Sequence, residues 1–224
     1  MVGEGFEVLS KEEVTPNFHL LTIKAPQVAE FARPGQFVIV MVKETSERVP
    51  FTLVDWDGPA GTITLIVEEV GRSSREVAGL KAGDRIAHVT GPLGEPYEVK
   101  KPGAVALGGG CYGIGAIYPI ARALKQAGTK VISVLEAGSD YLLYWEDKLR
   151  SVSDEVLVAT KDGSKGTRGG VQEVFRALHD RGEKLDQLVA IGCTFMMRMV
   201  SEATRDMGVP IQVALNPIMV DGTG

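Results

Sequence analysis

The run Ala104-Val-Ala-Leu-Gly-Gly-Gly-Cys-Tyr-Gly-Ile-Gly-Ala-Ile-Tyr-Pro119 decides the fold class of this 224-residue chain. A short apolar segment, Val105–Leu107, enters a turn dense in glycine. A helical pattern leaves it, with Ile117, Ile120, Ala121 and Leu124 at i, i+3, i+4 and i+7. Strand, glycine turn and helix in that order are the context that Gly108-x-Gly110-x-x-Gly113 requires. Glycines allow positive φ and close approach to a ligand, and a helix N-terminus offers N–H groups to a phosphate. The pattern predicts a cradle for a dinucleotide pyrophosphate. Close packing of helix on strand is the other use of the same glycines. Pro119 falls in the first turn of the predicted helix, where it costs little.

Working outward toward the C-terminus, apolar runs alternate with helical periodicity. The runs are Ala104–Leu107, Val131–Leu135, Val156–Ala159, Leu188–Ile191 and Ile211–Leu215. They are near-continuously hydrophobic, as strands covered on both faces must be. Helices are expected around Val171–Leu178 and Phe195–Ala203, with a shorter one from Tyr141 to Leu149. The expectation is a five-stranded parallel doubly wound sheet over 104–216, with ligands beyond the carboxyl ends of its strands.

Working outward in the other direction, residues 1–96 read as a Greek-key β-barrel. Phe18–Ile23, Phe37–Val42 and Thr62–Val67 are β-branched or aromatic runs, parted by Pro26, Pro34-Gly35, Asp57-Gly58 and Gly61. One short helix, Ser73–Leu80, is expected with Ser73 or Ser74 as its cap. Residues 97–103 read as a linker, and 217–224 as a separate tail.

Composition excludes several classes. Charged residues make up 24% of the chain and the net charge is −5, with no Lys/Arg run suited to nucleic acid. The two cysteines, Cys111 and Cys193, are far apart, which excludes a disulfide framework or zinc motif and fits a reducing, cytoplasmic setting. No apolar run has the ~18 residues of a membrane span, so no membrane insertion is expected. The three histidines form no ligand or triad pattern.

In order and spacing, several phrases together resemble the ferredoxin–NADP reductase superfamily. They are Arg33-Pro-Gly-Gln-Phe-Val38, Val49-Pro-Phe-Thr52, Gly71-Arg-Ser-Ser74, Leu80-Lys-Ala-Gly-Asp84, Gly91-Pro-Leu-Gly94, the glycine turn, and Gly192-Cys-Thr-Phe-Met-Met197. The closing Pro217-Ile-Met-Val-Asp-Gly-Thr-Gly224 is similar to the segment leading into a [2Fe-2S] domain in two of its families. These are the small subunits of NADH-dependent reduced ferredoxin:NADP oxidoreductases (also called sulfide dehydrogenases) and the dihydroorotate dehydrogenase electron-transfer subunits.

The resemblance implies a barrel that holds FAD and a sheet that binds NAD(H), with NADP(H) the lesser expectation. Pro50, Phe51 and Thr52 would lie at the flavin, Phe51 packing on its ring and the Thr52 hydroxyl meeting N5. Val49 stands where the superfamily has arginine, and Arg48 precedes it, so Gly71, Arg72, Ser73 and Ser74 take a larger share of the flavin phosphates. Gly109, Gly110, Gly113 and Gly115 would cradle the nicotinamide dinucleotide, and Glu136 would receive a ribose hydroxyl. Asp162 joins this set in the polar loop Thr160–Arg168, whose Lys161, Lys165 and Arg168 could instead meet a phosphate. Gly192 and Cys193 would lie at the site of hydride transfer, with Thr52 across from Cys193. Asp221 is the candidate metal-site residue, and a [2Fe-2S] cluster is expected only if the chain continues beyond Gly224. The implied function is electron transfer from NADH through FAD to an iron–sulfur centre and a larger flavoprotein or dehydrogenase subunit, with ferredoxin a further partner. The other readings are a conventional NAD-dependent dehydrogenase, for which no catalytic base is evident, and a non-enzymatic redox-sensing or docking module.

Overall fold

The structure, a computed structural model, describes residues 5–99 and 103–215. Its contacts divide the chain into two compact units between Tyr97 and Glu98. Tyr97 belongs to the first: its side chain is buried and its N–H donates to Pro34 O at 2.8 Å. The predicted linker therefore begins one residue too early, because an aromatic residue that packs under Gly35 cannot serve as a free connector.

The first unit contains β1 (Phe6–Thr15), β2 (Phe18–Lys24), α1 (Pro26–Phe31), β3 (Phe37–Met41), β4 (Val49–Asp57), β5 (Thr62–Glu68), α2 (Arg72–Ala78), β6 (Arg85–Ile86) and β7 (His88–Leu93). The strands form one antiparallel seven-stranded sheet in the order β6-β1-β2-β5-β4-β3-β7. β3, β4 and β5 are joined by hairpins and β2 returns beside β5, which is a Greek key. The sheet curls until its rims meet in sequence. β6 pairs with β1, β7 pairs with β3, and only Ala87 separates them. Period-two alternation sends Leu21, Ile23, Val38, Val40, Phe51, Leu53, Ile63, Leu65 and Val67 into one interior, with α2 closing an end through Val77 and Ala78. Each such aliphatic side chain contributes about 1.5–3 kcal/mol by leaving water.

Helix α1 was read as a turn because it starts with a proline, yet Pro26 at its first position suits a helix N-terminus. Helix α2 starts at Arg72 rather than Ser73, and its cap is Gly71. Ser74 closes the cap from within: its Oγ accepts from Val70 N and Gly71 N, both at 3.0 Å.

The second unit contains β8 (Ala104–Gly110), α3 (Gly113–Gln126), β9 (Lys130–Ala137), α4 (Glu146–Arg150), β10 (Glu155–Thr160), β11 (Thr167–Arg168), α5 (Val171–Asp180), β12 (Gln187–Ile191), α6 (Thr194–Ala203) and β13 (Ile211–Val213). The sheet is parallel, in the order β11-β10-β9-β8-β12-β13. It has six strands rather than five. The polar loop after β10 folds back on Thr160 Oγ1, which accepts from Lys165 N at 3.0 Å, and adds a two-residue edge strand. Chain direction across the sheet reverses between β8 and β12, the switch point where open α/β sheets bind ligands.

Two local expectations fail for physical reasons. β8 runs on through all three glycines of 108–110, so α3 begins at Gly113 and Pro119 is its seventh residue instead of lying in the first turn. The expected helix Tyr141–Leu149 is a single 3-10 turn, Asp140–Leu142, followed by α4, because Trp145 at φ +57° breaks the run.

Candidate functional site

On the barrel, β4 presents two faces. Phe51 points inward, 8% exposed and part of the core cluster, so its ring supports the strand from beneath. Exposed Pro50 and half-buried Thr52 share the outer face, as strand alternation requires. Arg48 lies just before β4 and is exposed. Ser73 Oγ donates to the Glu47 carboxylate, and Ser46 Oγ donates to Glu76 Oε1 at 3.0 Å. These contacts stitch the β3–β4 loop to α2 and bring Arg48 to the helix end where Arg72 is exposed.

Ser73 and Ser74 are both engaged. Ser74 is buried and its hydroxyl also donates to Gly71 O at 3.2 Å, so it is a structural cap and not a surface donor. Gly71 is different. A Cβ there would meet nothing within 4 Å, and its φ of −155° is ordinary extended backbone. Neither packing nor conformation demands glycine, the bare backbone leaves room there, and the neighbouring Arg72 is exposed. These residues fit the FAD diphosphate on charge and on access.

On the sheet, the glycines separate by the same criterion. A Cβ on Gly108 would lie 2.4 Å from Val171 Cγ1, and one on Gly113 would lie 1.9 Å from Ile191 O. These two are glycines because α5 and β12 touch the backbone there. Gly109 and Gly192 are likewise closed, by Gly113 O at 2.6 Å and Met196 Sδ at 2.7 Å. Gly110 is not: its nearest neighbours would be Met196 Sδ at 3.5 Å and Cε at 3.6 Å, ordinary contact distances. Gly110 ends β8 at the switch point, and no neighbour requires it to lack a side chain. Packing therefore does not explain glycine at this buried strand end.

The helix N-terminus behind it is less vacant than the motif implies. Ile114 N donates to Cys111 O at 3.2 Å, and Gly115 N donates to Tyr144 Oη at 3.0 Å. Tyr144 Oη in turn donates to Cys111 O at 2.9 Å, and Tyr112 Oη donates to Gly192 O at 2.7 Å. Two tyrosines thus tie the crest between β8 and α3. Tyr144 carries no local signature of this role, since it lies 29 positions from its Gly115 partner.

Glu136 is buried with its carboxylate fully used. Oε1 pairs with Lys161 Nζ at 2.7 Å, and Oε2 accepts from Val171 N at 2.8 Å, at the start of α5. A cation and a helix N-terminus thus meet its two oxygens, and Glu136 anchors the start of α5. Lys161 is committed by the same pair, and Lys165 Nζ binds Glu146 Oε2 at 2.6 Å. Asp162 is exposed and accepts from Ser164 N and Oγ, which with Ser139 hold its carboxyl down to about 2. Arg168 is exposed on β11.

Cys193 is a free, exposed cysteine at the N-cap position of α6, just beyond the carboxyl end of β12, and its thiol makes no capping hydrogen bond. Met196 and Met197 are core residues, 5% and 1% exposed. Asp221 lies outside the described residues, and among the described residues no three His, Cys, Asp or Glu side chains gather to hold a metal ion. No helix among them is long and apolar enough to cross a membrane.

No family model matches the chain. Individual proteins do. The chain is 42% identical over 218 residues, 97% of its length and 77% of the relative's, to a Thermotoga maritima homolog of the dihydroorotate dehydrogenase B (NAD(+)) electron transfer subunit. It is 33% identical over 231 residues to the Bacillus caldolyticus electron transfer subunit of dihydroorotate dehydrogenase B, covering 100% of this chain and 87% of that one. A chain solved in the work on the NADH-dependent reduced ferredoxin-NADP oxidoreductase and flavin-based electron bifurcation superposes with TM-score 0.91 at 41% identity, over 97% of this chain and 78% of that one. By its barrel, its parallel sheet and these relatives, the chain belongs to the family of dihydroorotate dehydrogenase B-type electron-transfer subunits, flavoproteins of the ferredoxin reductase-like fold.

Proposed function

We propose that this chain takes reducing equivalents from NADH through FAD and passes them to a larger partner subunit. The observation that carries the proposal is 42% identity over 97% of the chain to an electron transfer subunit homolog, with 33% identity over all of it to an electron transfer subunit. Two glycines left open for no packing reason, Gly71 and Gly110, support it.

FAD, when bound, supplies a carrier that accepts a hydride and releases electrons singly. The chain's own residues bind and orient. Arg48 and Arg72 balance the charge of the flavin diphosphate at the bare backbone of Gly71. Pro50 and Thr52 form the surface offered to the flavin ring, and the Thr52 hydroxyl supplies a hydrogen-bonding group there. Gly110 admits the dinucleotide phosphates to the backbone at the switch point. The Cys193 thiol, with no base beside it in the described contacts, orients a nicotinamide ring by packing and polarisation and forms no bond to it. Asp162 is ionised at every physiological pH, so it disfavours a 2′-phosphate and favours NADH over NADPH. Glu136 acts behind this site, holding α5.

A [2Fe-2S] cluster involving Asp221, and a ferredoxin partner, extend the same reading. The relatives are named for two complexes, a dihydroorotate dehydrogenase and a ferredoxin–NADP oxidoreductase, and the larger partner belongs to one of these types. The test is a visible spectrum of the purified protein supplied with FAD. Flavin bands that bleach with NADH faster than with NADPH are expected. Protein that retains no flavin, or whose flavin NADH leaves oxidised, refutes the proposal.

A further inference from the structure

We propose that Tyr144 is a positioning residue for the dinucleotide site, its hydroxyl holding Cys111 in a left-handed conformation that shapes the crest after Gly110. The proposal rests on the nucleotide-binding reading above and concerns how that site is kept in form.

Cys111 has φ +54°, a left-handed region that a residue with a side chain adopts only under strain. Such strain persists only where the surroundings over-determine it. Here the surroundings include two tyrosine hydroxyls, beside the Ile114 N–H that also donates to Cys111 O at 3.2 Å. Tyr144 Oη donates to Cys111 O at 2.9 Å and accepts from Gly115 N at 3.0 Å, bridging the strained residue to the first turn of α3. Tyr112, the next residue, is fixed by its own hydroxyl on Gly192 O at 2.7 Å. The Tyr144 ring is 6% exposed and packs against Trp145, ring centroids 6.1 Å apart. Trp145 meets Tyr118 of α3 edge-on at 5.5 Å. The hydroxyl is therefore delivered by a packed aromatic group with little freedom left to lose.

This bridge does work that backbone bonds do not. Without it Gly115 loses a buried acceptor, and Cys111 loses a partner that opposes relaxation to negative φ. Relaxation would swing the Cys111–Tyr112 peptide, the segment nearest the open backbone of Gly110. A phosphate would then meet a mobile crest instead of a preformed one.

The experiment uses the flavin-loaded protein and the variants Tyr144→Phe and Cys111→Gly/Tyr144→Phe. Phenylalanine keeps the ring packing and removes the hydroxyl. The expected result for Tyr144→Phe is an NADH Kd weaker by about five- to tenfold with an unchanged rate at saturating NADH, and faster amide exchange at Gly115 without nucleotide. Glycine adopts positive φ without penalty, so the double variant should recover most of the lost affinity. A purely packing role for Tyr144 would not be rescued in this way. Unchanged Gly115 exchange in Tyr144→Phe, unchanged NADH affinity, or a double variant no better than the single one overturns the proposal. If the parent protein itself binds no NADH, the nucleotide reading fails separately, and Gly115 exchange still reports whether the hydroxyl holds the crest.

Discussion

Alanine placed at Gly113 and alanine placed at Gly110 should separate the fold from the ligand site. At Gly113 the new methyl would sit 1.9 Å from Ile191 O and 2.5 Å from Ile191 C, both backbone atoms of β12. A side chain could rotate away, but a strand held in register with β8 cannot. Helix α3 must retreat by about 1 Å, and a close-packed interior resists that. Overpacking of this kind costs about 1–3 kcal/mol, at the upper end when backbone must move. Alanine in the first helical turn returns up to about 1 kcal/mol relative to glycine. The net expectation is about 2 kcal/mol, or a melting temperature about 4–8 °C lower. At Gly110 the methyl would meet Met196 at 3.5 Å and Glu136 Cβ at 3.8 Å, so it fits and the melting temperature should move by less than about 2 °C. If this strand end keeps glycine because a dinucleotide needs its backbone bare, the same substitution weakens NADH by about tenfold or more. Calorimetry and a fluorescence titration on the two variants give both numbers. A Gly110→Ala protein that binds NADH as tightly as the parent removes the argument that this glycine is kept for a ligand. A Gly113→Ala protein of parental stability removes the argument from close packing.

Glu136→Gln should lower stability by about 1–3 kcal/mol in urea unfolding, since Lys161 loses its charge partner and α5 its anionic anchor, while NADH affinity stays within about twofold. A large loss of affinity at parental stability would return Glu136 to the ribose. Ser74→Ala should cost about 1–2 kcal/mol by orphaning Gly71 N and removing one of the two acceptors of Val70 N, read by the same unfolding curves. The carboxyl of Asp162 is depressed from 3.8 to about 2 by its serine hydrogen bonds. A depressed carboxylate favours the folded loop above the unfolded value and loses that contribution as pH falls through the folded one. The protection of the Ser164 amide, its exchange rate corrected for the intrinsic pH dependence, should therefore be constant from neutrality to about pH 4 and fall between 3.8 and about 2; a fall beginning near pH 6 would contradict the assignment.

The alternation of apolar runs and turn residues was enough to read a barrel followed by a wound sheet, because each local pattern agrees with the packing it enters. Strand β1 was harder to see: of its ten residues only Val8 and Thr15 are buried, so it carries almost no apolar signature. The glycine motif was legible as a motif but not glycine by glycine. That Gly108 serves α5 depends on Val171 and Phe175, more than sixty positions away, and no local rule holds that contact. Glu136 was placed correctly at a strand end and given the wrong neighbour for the same reason: Lys161 and Val171 reach it through tertiary structure. Phe51 shows a different limit. Spacing put it on the right strand, while the inward phase of that strand, set by Leu53 and the opposed Val38, was fixed only by assembly.

The nine residues Arg85–Leu93 seal both rims of the barrel at once, Ile86 against Phe6 and Val89 against Val40, with Ala87 N bonded to Val42 O between them. A zip fastener with a single slider behaves this way. Loss of that short run leaves two raw margins, not one, each a row of unsatisfied amides ready to recruit a neighbouring molecule. The lobe therefore has no stable half-finished form, and any nick, slip or shortening near Ala87 should send it toward aggregation rather than toward a looser version of itself.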